Sequence, residues 1–152
     1  MIRDQLSDAL KTSMKEKKQV AVSTLRLIQA AIKDRDIAAR SKGVDDGISD
    51  EEILQVLQTM VRQRHDSIEM YTKGNRGELA EREAQEIEVI QGFMPRQLDD
   101  AEMEAAIDQV VEATGAASIK DMGKAMGALR ERYAGQMDFG KAGAALKARL
   151  AG

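Results

Sequence analysis

The single histidine is the residue in this chain whose chemistry most resembles that of a catalytic or metal-binding group. His65 lies in a helical pattern, with Asp66 and Ser67 directly after it. A catalytic triad needs its members to face one another across a site, and adjacent residues of one helix do not. A histidine metal site needs His or Cys partners, and the chain has no second His and no Cys. We therefore predict a structural role for His65 and no catalytic residue, metal or cofactor.

The glutamates of the fourth predicted helix offer a second possible metal site. A dimetal bundle requires carboxylates that point inward from several helices, with His partners. In this helix the apolar residues Ala80, Ala84, Ile87, Ile90 and Met94 are expected to point inward. The pattern therefore favours a solvated acidic face, made of Glu78, Glu81, Glu83, Glu86 and Glu88.

Two glycines in the run MGKAMG form a third candidate feature. Gly123 and Gly127 are four residues apart, which places them on one side of a helix. No strand pattern precedes them and no GxxxxGK[ST] motif is present, which argues against a nucleotide-binding loop. Two glycines on one face allow another helix to approach closely, so we predict packing within the chain. Contact with another molecule is the alternative.

Basic residues could bind phosphates, although the formal net charge of the chain is −3. Residues 1–42 hold ten Lys and Arg against five Asp and Glu, and residues 105–152 hold seven against five. Affinity for a nucleic acid backbone comes from such cations and falls steeply with salt. The four scattered aromatic residues offer no stacking platform for single-stranded RNA. From charge alone, an ordinary solvated face is favoured over an RNA surface.

Seven helices must position these residues, as the spacing of apolar side chains and the cap residues indicate. The predicted fold is all-α, with a four-helix amino-terminal unit (1–95) and a three-helix carboxy-terminal unit (96–152). Pro95 marks the boundary between them, because proline interrupts a helix. Ser49, Asp99 and Asp138 are predicted helix caps. Six methionines on helical stripes are expected to fill cores, with an adaptable partner groove as the alternative.

Composition suggests the compartment. The absence of Cys excludes disulfides and fits a reducing environment. Charges are scattered through the first 18 residues, so no signal peptide is expected. No run approaches the roughly 20 apolar residues that span a bilayer. We therefore expect a cytoplasmic protein with no membrane partner.

Several runs together resemble the YqeY family. They are STLRLIQAAIKDRDIAAR (23–40), HDSIEMYTKGNRGELA (65–80) and EIEVIQGFMPRQL (86–98). The run IKDMGKAMGALRERYAGQMDFGKA (119–142) resembles that family and also the carboxy-terminal tail domain of the GatB component of the Asp/Glu-tRNA amidotransferase. The positions that match the shared motif are Met122, Gly123, Lys124, Met126, Gly127, Gly135, Asp138 and Leu150.

This resemblance implies a non-catalytic module that works with tRNA or with a tRNA-handling enzyme. In the amidotransferase, the corresponding region recognises tRNA, while the catalytic sites lie in parts that this chain does not resemble. A carbon–nitrogen ligase label with glutamine as amido-N-donor would be inherited from the larger enzyme. The predicted phosphate-binding residues are Lys120, Lys124, Arg130 and Lys141. A protein–protein adaptor and an active amidotransferase component are the alternatives.

Overall fold

The computed structural model describes residues 1–151, which form seven α-helices and contain no strand. The helices are α1 (Ile2–Lys15), α2 (Gln19–Arg40), α3 (Asp50–Lys73), α4 (Gly77–Gln91), α5 (Asp100–Thr114), α6 (Met122–Arg132) and α7 (Phe139–Ala151). A 3-10 turn, Ile119–Asp121, precedes α6. The all-α prediction is confirmed. No helix within these residues is both long enough and apolar enough to cross a membrane.

The chain folds as two compact units, Met1–Met94 and a second that begins at Pro95. In the first unit α3 packs along α4, and α2 contacts each of the other three helices. Its core is aliphatic because each helix contributes one apolar stripe. The buried core residues are Leu6, Leu25, Ile28, Ile32, Ile48, Ile53, Val56, Leu57, Met60 and Ile90.

One carboxylate ties three segments of the first unit together. Asp36 on α2 accepts two hydrogen bonds from the Arg3 guanidinium of α1, at 2.9 and 2.6 Å. It also accepts a 2.8 Å hydrogen bond from the Ile48 amide, just before α3. The Arg3 hydrogen bond is the largest cause that lowers the pKa of Asp36 below its ordinary value, and burial opposes it in part. Asp36 therefore fixes α1 and the α2–α3 loop to α2.

Glycine is required at one position beside this ion pair. Gly47 has φ +91°, a conformation that residues with a Cβ rarely adopt. A Cβ at this position would lie 2.7 Å from the Nη2 atom of Arg3. Gly47 thus lets the α2–α3 loop pass close to the Arg3–Asp36 pair.

The second unit is a three-helix assembly with its own core. α5, α6 and α7 contact one another, and the core includes Val110, Leu129 and Leu146, which are fully buried. Asp99 and Glu102 form the predicted capping box, with hydrogen bonds of 2.8 and 3.2 Å. The Asp138 carboxylate accepts a 2.8 Å hydrogen bond from the Gly140 amide and so caps α7.

The core-filling interpretation of the methionines is confirmed at five positions. These are buried or partly buried in the two cores: Met60, Met94, Met103, Met122 and Met126. Met70, with 72% of its surface exposed, is the exception.

The prediction of a fully solvated acidic face on α4 is wrong at Glu86. Its side chain is only 12% exposed, and it accepts a 3.2 Å hydrogen bond from Arg64 of α3, which is 13% exposed. Glu86 and the buried Ile90 are four residues apart, so helical geometry places both on the same side. Ala84, which the apolar pattern places inside, is exposed. α4 therefore buries a carboxylate together with its apolar stripe.

α4 also ends earlier than predicted. It stops at Gln91, four residues before Pro95, and not at the proline itself. Gly92, Phe93 and Met94 follow with turn hydrogen bonds back to Glu88, Ile90 and Gln91. Such bonds satisfy carbonyl groups at a helix end without continuing the helix.

We predict that Asp36→Ala lowers the free energy of unfolding by roughly 2–3 kcal/mol, because it leaves the Ile48 amide and the Arg3 guanidinium without their acceptor. Asp34→Ala, an exposed aspartate on the same helix, should change it by less than about 0.5 kcal/mol. Urea denaturation at neutral pH compares them. Equal stabilities of the two variants would show that Asp36 does not join these segments.

We predict that Glu83→Gln stabilises the protein at pH 7. Burial, followed by the charge of Glu86, raises the pKa of Glu83 above its ordinary value. A raised pKa means that the folded state loses stability as pH rises through the interval between the ordinary and raised values. Glutamine removes this loss, so the gain should be present at pH 7 and absent near pH 4, where the ordinary carboxyl is largely protonated. Glu81→Gln, at an exposed position of α4, is the control, and a gain of equal size at both pH values would contradict the explanation.

Candidate nucleic-acid interface

The chain segment before α6 sets which side of that helix faces outward. The Asp121 carboxylate accepts hydrogen bonds of 2.8 and 3.2 Å from the amides of Ala117 and Ser118. These bonds hold the 3-10 turn at the start of α6. From there the helix turns Ala125, Met126 and Leu129 into the core, where all three are buried. The opposite side is exposed.

The exposed side of α6 carries the two glycines. Gly123 precedes the buried Ala125 by two residues, and Gly127 precedes the buried Leu129 by two, which is a rotation of about 200° in each case. A Cβ added at either glycine would meet nothing within 4 Å. The prediction that these glycines allow helix packing within the chain is therefore wrong. The signal that could have corrected it is their position opposite the apolar stripe.

Three of the predicted phosphate-binding residues lie around these glycines. We call the exposed surface formed by Lys120, Gly123, Lys124, Gly127 and Arg130 the α6 face. Lys120 and Lys124 are four residues apart, and Arg130 is seven residues beyond Gly123. Gly123 and Arg130 therefore share one side of α6, and Lys120 lies in the 3-10 turn just before that helix. The 3-10 turn and α6 thus carry three exposed cations between Lys120 and Arg130.

The cations of the α6 face are available to a ligand. None of the three forms an ion pair with a carboxylate in the part of the chain that the structure describes. Asp121 is the carboxylate on which Lys124 acts. The pKa of Asp121 is lowered chiefly by hydrogen bonds from the Ala117 and Ser118 amides, and least by the charge of Lys124. Asp121 thus stays ionised near Lys124 but forms no ion pair with it.

Lys141 does not share this face. It lies on α7 and is exposed. α7 approaches α6 at Gly143, where an added Cβ would lie 3.8 Å from the Met126 side chain. Lys141 and Gly143 are two positions apart, so Lys141 lies about 200° around α7 from that approach. The fourth predicted cation therefore lies on another helix, away from the side of α7 that packs against Met126.

The α6 face also includes an apolar residue that the sequence did not single out. Ile119 is 48% exposed, and it lies in the 3-10 turn four residues before Gly123. It offers an uncovered apolar patch beside the glycines. Glu131 is exposed at the other end, next to Arg130. The basic part of the face therefore ends at Arg130.

Elsewhere, the titratable residues form no comparable site. His65 is exposed on α3. Within residues 1–151, no three His, Asp or Glu side chains come together in a group that could hold a metal ion. A cavity of about 220 Å³ between α1 and α2 is lined by Arg3, Leu6, Ser7, Gln29, Ile32, Lys33 and Asp36. Arg3 and Asp36, the ion pair in its lining, are already bound to each other.

Curated relatives of this chain share one name, Altered inheritance of mitochondria protein 41, mitochondrial. The protein from Lachancea thermotolerans is 31% identical over 108 residues, which cover 70% of this chain and 56% of that protein. The protein from Vanderwaltozyma polyspora is 28% identical over 124 residues, which cover 77% and 64%. The protein from Candida glabrata is 34% identical over 89 residues, which cover 59% and 47%. The chain thus spans about half to two thirds of the length of these relatives.

A family model covers much more of the chain than any of these pairs. The model described as Yqey-like protein matches residues 3–150, from the first turn of α1 to the last turn of α7. The match includes both helical units and the whole α6 face. The chain therefore belongs to the YqeY family.

Proposed function

We propose that this chain is a non-catalytic helical module that binds tRNA through the α6 face and serves a tRNA-dependent, amidotransferase-like system. The observation that carries the proposal is the placement of three exposed cations around two glycines that face open space. Most protein contacts to nucleic acids are made to the backbone phosphates, by Lys, Arg and main-chain amides.

Glycine and lysine have complementary roles on such a surface. A glycine leaves no side chain between the helix and a ligand, so a sugar-phosphate backbone can lie close to the main chain. Lysine reaches outward as a point charge on a flexible stem, and arginine adds a planar fork that matches phosphate oxygens. Lys120, Lys124 and Arg130 would then hold phosphates on either side of the exposed Gly123–Gly127 segment.

The net charge of the chain limits where a polyanion can bind. With a formal net charge of −3, the chain has no general attraction for a polyanion, so binding depends on local groups of cations. α4, for example, exposes Glu78, Glu81 and Glu88. Charge therefore supports RNA contact at a local basic surface better than general RNA affinity. The choice of the α6 face rests on its two exposed glycines, because residues 1–42 are also basic.

The choice of tRNA as the ligand rests on the resemblance to the amidotransferase tail domain, which includes Lys124, Gly123 and Gly127. The charge and geometry of the α6 face fit any RNA backbone. The cytoplasm remains the compartment we propose, and the names of the relatives place those proteins in mitochondria. tRNA is used in both compartments, so the proposed activity fits either.

We predict that Lys124→Glu weakens tRNA binding about tenfold, the equivalent of about 1.4 kcal/mol. Each lost phosphate contact should also flatten the slope of log K against log salt by about 0.7–0.9. A gel shift with an unmodified tRNA transcript, titrated from low to physiological salt, measures both quantities. Lys11→Glu makes the same charge change at an exposed lysine of α1 and is the matched control. Equal affinities and slopes for the two variants would remove Lys124 from the interface.

We predict that Gly127→Leu separates stability from binding. Leucine is a better helix former than glycine by about 0.5–1 kcal/mol, and nothing lies within 4 Å of the position, so the variant should be more stable. The same side chain should obstruct a close RNA backbone and weaken binding several-fold. Ala105→Leu, at an exposed alanine of α5, should leave binding unchanged. A more stable Gly127→Leu variant that binds tRNA normally would contradict contact at this face.

A further inference from the structure

The long helix α2 has an apolar surface that the fold does not cover. Leu27 and Ile37 are 48% and 50% exposed, although both are large aliphatic residues. Ala30 and Ala38 are exposed between and beyond them. These four residues and Asp34 share one side of α2, and we call this surface the outer stripe. It lies away from the buried side, which carries Leu25, Ile28 and Ile32.

A row of cations borders the outer stripe along one edge. Arg26, Lys33 and Arg40 are spaced by seven residues, so they repeat on one side of the helix every two turns. All three are exposed, and none is ion-paired with a carboxylate among residues 1–151. We call this set the cation row. It extends over about 21 Å of helix.

We propose that the outer stripe and cation row of α2 bind an amphipathic helix of a partner protein, one that carries carboxylates along the edge facing the cation row. Apolar residues flanked by charges at seven-residue spacing are the arrangement by which two helices pair side by side. Exposed Leu27 and Ile37 would fill the partner's apolar seam. Carboxylates of the partner would pair with Arg26, Lys33 and Arg40.

Charge argues against a second copy of this chain as the occupant. In an antiparallel pair of α2 helices, the cation row of one copy would face the cation row of the other. In a parallel pair, it would face the opposite edge of the stripe, which carries the exposed Arg35. Both arrangements place like charges together, which is unfavourable in paired helices. The partner must therefore supply the acidic residues.

Asp34 argues against an RNA or an anionic membrane on the same surface. It is exposed within the outer stripe, between Leu27 and Ile37. A phosphate backbone or a charged lipid surface covering the stripe would be placed against this carboxylate. In a helix pair, one polar residue in the seam instead fixes the register, because its counterpart must lie opposite. The partner helix is thus expected to carry a Lys, Arg or Asn facing Asp34.

A designed pair of peptides tests the chemistry of the partner. The acidic probe is a 21-residue helix with Leu along its seam, Glu along both edges and one Lys placed to face Asp34. The matched control has Lys in place of every edge Glu. Fluorescence anisotropy with the full chain should show the acidic probe binding at least tenfold more tightly. Amide shifts in a ¹⁵N spectrum should map its contact to α2.

Variants of the chain make the result decisive. Leu27→Glu combined with Ile37→Glu should abolish binding of the acidic probe, and circular dichroism should show an unchanged helical fold because both positions are exposed. Changing Arg26, Lys33 and Arg40 together to Glu should reverse the preference toward the basic probe. Lys124→Glu should have no effect, which separates this surface from the α6 face.

Three results would overturn the proposal. The first is equal affinity for the two probes, or amide shifts on other helices. The second is self-association of the wild-type chain that Leu27→Glu removes, seen by sedimentation equilibrium. The third is a crosslink to RNA, to lipid or to a peptide of this chain, obtained in cells from a photo-crosslinking residue placed at position 30. An adduct with an acidic amphipathic segment of another protein would support the proposal.

Discussion

Each helix of this protein has only one apolar stripe to bury, and the two small cores consist of little else. With four aromatic residues and no Trp, the interior depends on Leu, Ile, Val, Met and Ala. Burial of aliphatic area contributes about 25 cal/mol per Å², so these stripes are the main driving force for both units. Because the cores take one side of each helix, the other sides are free to carry charges and ligands.

Several residues do not match their surroundings, and they indicate where the chain is specialised for something besides folding. Gly123 and Gly127 occupy an exposed helix side, where Ala would be more stable by about 1 kcal/mol each. Leu27 and Ile37 stand outside the core. Such local disagreements concentrate at functional surfaces in natural proteins. Glu86 is a disagreement of another kind, since Arg64 pairs with it and satisfies its charge within the fold.

The fold is predictable from sequence where it depends on near neighbours. The helices and the Asp99–Glu102 capping box follow from spacing and cap chemistry within a few residues. Prediction failed where the answer depends on distant partners. The burial of Glu86 on α4 depends on Arg64 of α3, 22 residues away in sequence. The role of Asp36 depends on a loop conformation that Gly47 allows. The cations Lys120, Lys124 and Arg130 were found from charge and family resemblance, but their exposure around the two glycines became evident only when the buried side of α6 was known.

The proposed function depends most on the α6 face being the surface that meets RNA. Titration of a ¹⁵N-labelled chain with an unmodified tRNA transcript, followed by NMR, tests this directly. We expect amide shifts and line broadening to concentrate between residues 119 and 131, to leave α4 unchanged and to disappear as salt is raised. Perturbations centred on another helix, or a spectrum unchanged at low salt with excess tRNA, would contradict RNA binding at the α6 face.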